Sequence, residues 1–508
     1  MLLLCKCILL LAFPVQGKLT LPPLMRAFAF RSTADGPCPS TPLPRTLPAS
    51  ALTAALANVS ALLDASLNPV GVPGGALVLS YGGDVLLRHF SGVADKSTGR
   101  HVDAGTLFRI ASVSKIFPAY LLHLLVDAGY LGLDDPLATQ IPFSILNDFD
   151  DAVVTFKHLA WHGSGLPRET PFGLNSTADV LAALARTHLI LPPGTLPSYS
   201  NLGFALLAHA LAEGVLPTPT TFENLTETGI LGPLGLAATG FAYTPQVLSS
   251  LAVGYSATGS AEPFADLGWW FPAGSMYSTP EDLTRLARAL LQQEGAPHPG
   301  LSTARLRDFL SPVFWNKDSE SLMGMPWECR ANQAHLQLTK GGNLPGYTSS
   351  VALVPSLNLS VAVSWNGGVD EVAFMDSVLG VVIPALTAAL QAAAPSPPFS
   401  PGPSPTDYEG TYVLGDSVVK VLTYQGMLLF EESPELRVSF FLEWLKSDPD
   451  AGDLFRVAFS DSAFSCLLGE MEALRYQLVI FHRDCDSGAV DSVSIPGWIP
   501  GAVWNRQQ

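Results

Sequence analysis

FRIASVSKIF, residues 108–117, holds two serines, Ser112 and Ser114, and one lysine, Lys115, at the mouth of a long apolar run. The run is apolar nearly all round (Tyr120, Leu121, Leu122, Leu124, Leu125, Val126), which predicts a buried central helix. In such a helix Lys115 lies one turn beyond Ser112 and projects over the same face, whereas Ser114 points elsewhere. Ser112 then sits at the positive end of the dipole, beside unpaired N–H groups. A lysine in so apolar a place loses some of its preference for the charged form, and can take a proton from the serine. The same residues also suit a polar helix start followed by a solvated lysine. A serine and a lysine three apart arise by chance about once in a chain this long, so the stretch needs support from elsewhere.

Two later segments supply it. LPPGTLPSYSNLGFALLAHAL places Tyr199, Ser200 and Asn201 on a Pro-Gly loop just before a helix, where Asn201 also suits an N-cap and Tyr199 a rim aromatic. TKGGNLPGY places Lys340 at a strand end, followed by glycines that let a ligand approach the backbone. The order is S-x-x-K, then Y-x-N, then K-x-G.

Outward from these motifs, residues 51–65 read as a helix, and GALVLSYGGDVLLRHFSGVAD reads as a hairpin about Gly82-Gly83-Asp84. Residues 113–310 are mostly helical patterns between Gly/Pro loops, with Thr279-Pro280-Glu281-Asp282 a clear start. Strand patterns return at HLQLTKGG and SSVALVPSLNLSVAVSW. Strands at both ends with helices between imply one antiparallel sheet closed by early and late segments, an α/β (α+β) fold. The 508 residues allow two to four domains at roughly 150 each. The expected division is a signal peptide over 1–17, a Pro/Ser-rich leader over 18–48, a main domain over 49–394, a Pro-rich linker over 395–406 and a small all-β domain over 407–508, a barrel or sandwich.

At these positions the chain resembles the serine β-lactamases and penicillin-binding proteins, in the class C, DD-peptidase-like branch, and among them the animal β-lactamase-like proteins. TLFRIASVSKIF, GYLGLDDPL, VTFKHLAWHGSGLP, ILGPLGLAATGF, AGSMYSTPEDLTRLARALL and KGGNLPGYTSSVALVP are similar to blocks of that family in its order. The resemblance implies an antiparallel sheet flanked by helices with an all-helical lobe beside it. It makes Ser112 the acylated nucleophile, Lys115 the holder or acceptor of its proton, and Tyr199 the general base. A free tyrosine titrates near 10, so the ammonium groups of Lys115 and Lys340 are needed to favour its anion. Asn201 is implied to bind the acyl amide side chain, and Gly342 and Asn343 to line the site, with the Ser112 and Asn343 N–H groups as oxyanion hole. Two departures stand out: Gly341 replaces a hydroxyl that helps bind a substrate carboxylate, and Pro118 threatens a kink early in the central helix.

The activity expected is a serine hydrolase acting on an amide or ester of a small-molecule, peptide or lipid-like substrate, with no cofactor and no metal. The alternatives are a neutral esterase or lipid amidase, and an inactive binding scaffold of the same fold. A recognition role for the C-terminal domain is a further reading. With 27 Lys plus Arg against 44 Asp plus Glu, the net charge of −17 gives no footprint for nucleic acid.

MLLLCKCILLLAFPVQG is too short an apolar stretch for the roughly 20 residues of a spanning helix, and Val15-Gln16-Gly17 suits cleavage after Gly17. Secretion is expected, with an uncleaved N-terminal anchor as the alternative. Residues 377–394 are long enough to span but read as a buried packing helix interrupted by Pro384. Sequons at Asn58, Asn175, Asn224 and Asn358 fit an exported chain. Beyond the signal, Cys38, Cys329, Cys466 and Cys485 remain, and the expected pairs are Cys466–Cys485 and Cys38–Cys329. His158 and His162 have the i, i+4 spacing of a zinc pair, but no carboxylate stands between them and Gly163-Ser164-Gly165 ends the helix.

Overall fold

The computed structural model describes residues 52–169, 174–316, 318, 321–332, 335–393, 404–424, 427–432, 438–448, 452–458, 478–484, 487–496 and 502–507. The expected signal segment, the leader, Cys38, Cys466, Cys485 and most of the Pro-rich linker lie outside them. The chain divides into two compact units, one spanning Leu43–Ala393 and one containing Ala394–Gln508.

In the first unit, helix α1 (Thr53–Ser66) turns Ala55, Val59 and Leu63 inward at fourfold spacing. Strands β1 (Gly74–Tyr81) and β2 (Asp84–Asp95) form the expected hairpin, with Gly82 at φ 61° in its turn. Helix α2 (Ile116–Asp127) is the buried central helix, and α3 (Asn201–Ala210) packs beside it. Strands β3 (Glu328–Asn332), β4 (His335–Leu344), β5 (Tyr347–Val354) and β6 (Leu359–Trp365) follow, then helix α4 (Glu371–Ala393). All are joined antiparallel in one sheet of nine strands, in the order Arg100–His101, β2, β1, β6, β5, β4, β3, Ser321–Met323, Phe314–Trp315. Early β1 pairs late β6 from Gly75↔Trp365 to Tyr81↔Leu359.

Every residue of β1, β5 and β6 is buried, because both faces of the sheet are covered. Leu77, Val361 and Val363 pack with α1 and α4, while Val351, Leu353 and Ala362 pack with the cluster around α2. Helix α4 is long and apolar enough to cross a membrane by length and composition. Its stripe of Phe374, Val378, Leu379, Val382, Ile383 and Leu386 is buried against the sheet. The helix also begins six residues earlier than the apolar run suggests.

Pro118 is the third residue of the central helix. A 3₁₀ turn over Ala111–Lys115 precedes α2, so Pro118 falls in the first turn of α2, where N–H groups have no intrahelical acceptor. Cys329 is a free, buried thiol donating to the Trp327 carbonyl at 3.5 Å, and its expected partner Cys38 lies outside the described residues. Burial pushes that thiol up to about 12. Asn58, Asn175 and Asn224 are exposed. Asn358 is half-buried in a left-handed turn, and its Oδ1 is buried without a partner.

The second unit is a closed antiparallel barrel of eight strands, from Gly410–Leu414 to Val503–Arg506, with Tyr412↔Arg506 and Val413↔Asn505 closing the ring. Tyr408, Tyr412, Phe430, Phe455, Phe481 and Trp504 fill it.

Candidate active site

The approach to Ser112 is pinned by Ile110 N–H, which donates to Met276 O at 2.9 Å. Ala111 then takes φ 49°, a left-handed conformation that a non-glycine residue adopts only under constraint. This sharp bend carries Ser112 into the 3₁₀ turn, where its N–H has no acceptor within the turn. Gly342 of β4 lies directly against the bend. A Cβ there would stand 2.5 Å from Ile110 O and 2.7 Å from Ser112 N, so only glycine lets the strand come this close. Ser114 is fully buried, and its hydroxyl accepts from Met276 N–H at 3.2 Å.

Lys115 is completely buried and its ammonium has three acceptors, Ser112 Oγ at 3.0 Å, Asn201 Oδ1 at 2.7 Å and Ala273 O at 2.9 Å. All three are uncharged, and burial pushes Lys115 down to about 8. Tyr199 OH donates to Ser112 Oγ at 2.7 Å. Burial alone would raise the Tyr199 phenol, but Lys340 and Lys115 beside it outweigh that and hold it below its usual range. When Tyr199 is ionised the same contact runs the other way, with Ser112 donating.

Local capping fixes Tyr199. Ser200, not Asn201, caps α3, since its Oγ accepts from Gly203 N–H at 2.9 Å and Asn201 is the first helical residue. The Ser200 N–H donates to His162 Nδ1 at 3.0 Å, leaving the proton of a neutral imidazole on Nε2. The His162 ring stacks on Tyr199 at 4.2 Å between centroids. Burial and the charges of Lys115, Lys340 and Arg168 hold His162 well below the usual imidazole range. His158 Nδ1 accepts from Thr155 N–H in a capping box, and His162 lies beyond that helix at φ 64°, so the two rings do not share a helix face.

Lys340, 1% exposed, reaches over the Tyr199 ring at 5.5 Å from its centroid. It donates to Glu328 Oε1 at 2.7 Å and to Gly341 O at 2.9 Å. Burial disfavours its charge, but Glu328 and Tyr199 more than compensate and Lys340 is raised. Pairing of β3 with β4 begins at Glu328↔Thr339, so from Lys340 onward that edge of β4 is open. The two-residue Pro345-Gly346 turn makes Leu344↔Tyr347 the closing pair. Alternation then turns the N–H and C=O of Asn343 and Gly341 toward the open edge. Gly341 agrees, since its carbonyl takes Lys340 and its N–H faces Glu328 Oε2 at 3.5 Å. The Ser112 N–H, without an acceptor in its turn, and the Asn343 N–H, on the open edge, thus lie to either side of the close contact at Gly342.

Ser112, Lys115, Tyr199, Asn201, Lys340, Gly342 and Asn343 therefore come together in one place. The structure adds residues the motifs did not name. Glu328 partners Lys340, and Glu169 Oε1 accepts from Asn201 Nδ2 at 2.8 Å with Oε2 buried and unpartnered. Arg168 lies 4.8 Å from the Tyr199 ring centroid, and Glu371 Oε1 accepts from Asn343 Nδ2 at 2.8 Å. The arrangement is a serine hydroxyl between a neutralisable lysine and an acidified tyrosine, equipped for acyl transfer.

Comparison with known proteins agrees with this geometry. The Beta-lactamase family model matches residues 59–379. A human protein described as beta-lactamase-like 1 is 33% identical over 75% of this chain and 78% of its own length. The D-alanyl-D-alanine-carboxypeptidase/endopeptidase AmpH of Escherichia coli (strain K12) is 30% identical over 44% of this chain and 59% of its own. A solved class C beta-lactamase superposes with a TM-score of 0.57 over 64% of this chain and 97% of its own, at 20% identity, which is a likeness of fold.

Proposed function

The chain belongs to the beta-lactamase family, and from that membership we propose that it hydrolyses an amide or ester through an acyl-enzyme on Ser112. The observation that carries this is the Ser112 hydroxyl held at 2.7 Å from Tyr199 OH and 3.0 Å from Lys115 Nζ. A binding scaffold has no need of a fully buried lysine with no carboxylate on it. Ser112 Oγ attacks the carbonyl carbon while its proton passes to the Tyr199–Lys115 pair. The oxyanion accepts from the Ser112 and Asn343 N–H groups. The pair then gives its proton to the departing amine or alcohol as the C–N or C–O bond breaks, leaving acyl-Ser112. Water, deprotonated by Tyr199, hydrolyses that ester and frees the acid and the serine. Lys340 stays charged throughout and keeps the phenol acidic.

The same proposal places the protein outside the cell. The N-terminal apolar segment and the exposed sequons at Asn58, Asn175 and Asn224 support that compartment.

Intact-mass measurement after incubation with a fluorophosphonate tests the mechanism. Wild type should gain one adduct, Ser112→Ala none, and Ser114→Ala most of it. Turnover of an activated ester should fall on the order of 10⁶-fold in Ser112→Ala, as for loss of a nucleophile. Labelling that survives Ser112→Ala and vanishes in Ser114→Ala would overturn the assignment.

A further inference from the structure

Gly341 stands where the resemblance implies a hydroxyl that, with Lys340, holds a substrate carboxylate. The space its side chain would take is filled by an acid. A Cβ at Gly341 would lie 2.7 Å from Glu371 Oε1 and 3.1 Å from Glu371 Cγ. Glu371 is the first residue of α4, where the positive end of the helix favours a carboxylate. Its Oε1 is fixed by Asn343 Nδ2 at 2.8 Å, and its Oε2 has no hydrogen-bond partner among the described residues. On the other side of Gly341, Glu328 Oε2 faces the Gly341 N–H at 3.5 Å. Glu328 on Lys340 and Glu371 against Gly341 thus set two carboxylates and one ammonium along this edge, and these three groups sum to −1. Glu328 already occupies Lys340 Nζ at 2.7 Å, so an incoming carboxylate meets a charged lysine that is already paired, and a second acid. Glycine and glutamate form one device, because a side chain at 341 and Glu371 in its present place exclude each other.

We propose that Glu371, lying where a side chain at Gly341 would be, selects substrates by charge: it rejects a carboxylate at the open edge of β4 and takes an ester or amide bearing an ammonium group there. This rests on the hydrolase reading above. An ammonium at the edge is drawn to the free Oε2 and does not compete with Glu328 for Lys340. A carboxylate there finds Lys340 already on Glu328 and the nearby Arg168 already on Glu169 at 3.3 Å, and it lies beside the like charge of Glu371, a repulsive contact of the kind that sets specificity. A charge-assisted hydrogen bond gained or lost here corresponds to about ten- to a hundred-fold in binding.

Three esters of one acyl group test this, with leaving alcohols ending in an ammonium, a neutral amide and a carboxylate. Binding is measured by calorimetry on full-length Ser112→Ala protein, with and without Glu371→Gln, and kcat/KM on proteins that retain Ser112. Glutamine keeps the Oε1 acceptor for Asn343, so the edge geometry survives while the charge goes. The ammonium ester should bind tightest, and Glu371→Gln should reduce its advantage over the carboxylate ester by at least about tenfold, weakening the one and tightening the other. A preference for the carboxylate ester, or a ratio that Glu371→Gln leaves unmoved, overturns the inference. Absence of turnover for all three esters together with absence of a fluorophosphonate adduct overturns the hydrolase reading instead. The binding ratio still decides on Glu371 in that case.

Discussion

Each of the two units buries a cluster of charge, and the clusters are built on opposite principles. In the barrel, Asp453 is 3% exposed and accepts from Ser447 Oγ at 2.5 Å, Arg483 Nε at 2.6 Å and Tyr408 OH at 3.0 Å. Arg483 also donates to Tyr408 OH at 3.1 Å, so one acid, one base and two hydroxyls close on themselves. In the first unit two lysines lie fully buried, and of the two the carboxylate of Glu328 reaches only Lys340. A closed pair resists any change of protonation, whereas a buried charge without a counter-charge is poised to lose its proton. The imbalance is where the proposed chemistry would take place; the balance is where the barrel is held.

A single substitution in each cluster should therefore have unlike consequences. Tyr199→Phe keeps the ring on His162 and loses only the proton relay, so hydrolysis should fall by roughly 10²–10⁴-fold. Its unfolding transition should stay near that of wild type. Turnover at the wild-type rate in this variant would remove Tyr199 from the mechanism and leave the site's charge imbalance without a purpose.

Asp453→Asn should show the reverse. It leaves Arg483 facing a neutral amide, and breaking a largely buried pair costs on the order of 3 kcal/mol. A lower-melting transition should appear in calorimetry while fluorophosphonate labelling of Ser112 continues. Acid should act in the same direction. Burial raises Asp453, but the bonds from Ser447, Arg483 and Tyr408 lower it overall. Its stabilisation is thus present above the usual carboxylate range and is lost as pH falls through its lowered value. An unaltered melting profile in Asp453→Asn would show the cluster to be incidental to the barrel.

The contrast between what a motif can and cannot reveal follows the same physics. Ser112 and Lys115 were legible because one helical turn separates them and an apolar run follows. Thr279 was legible as a cap because Pro280 and two acids follow it, and its Oγ1 does accept from Asp282 N–H at 3.1 Å. The barrel strands announced themselves by alternation. Glu328 was not legible, because it reaches Lys340 only through the Glu328↔Thr339 register between neighbouring strands. Glu371 lies 28 residues beyond Asn343 at the start of a helix that crosses behind the sheet, a proximity made by topology alone. The cap of α3 was misplaced by one residue because Ser200 and Asn201 are both good capping types. The left-handed Ala111 leaves no trace in sequence, since alanine rarely adopts that conformation. An even cysteine count permits bridges without requiring them, and Cys329 is a free thiol.

The smallest expected effect separates the two buried lysines from each other. Burial pushes Lys115 down to about 8, while Glu328 keeps Lys340 raised and charged. Below pH 8 Lys115 is protonated and cannot take the serine's proton, so acylation should rise with pH through about 8. Between pH 7 and pH 9 its neutral fraction grows about tenfold, and the single-turnover acylation rate should follow. Stability carries the opposite signs for the two lysines. Lys115 binds fewer protons folded than unfolded between about 8 and its ordinary range, so its contribution improves as pH rises there. Lys340 contributes stability below the ordinary lysine range that is lost as pH rises through its raised value. Stopped-flow acylation by an activated ester across pH 6–10 checks the kinetic half. A limb displaced to the ordinary lysine range would mean that Lys115 is as well satisfied as Asp453 in the barrel, and the distinction between the two clusters would fail.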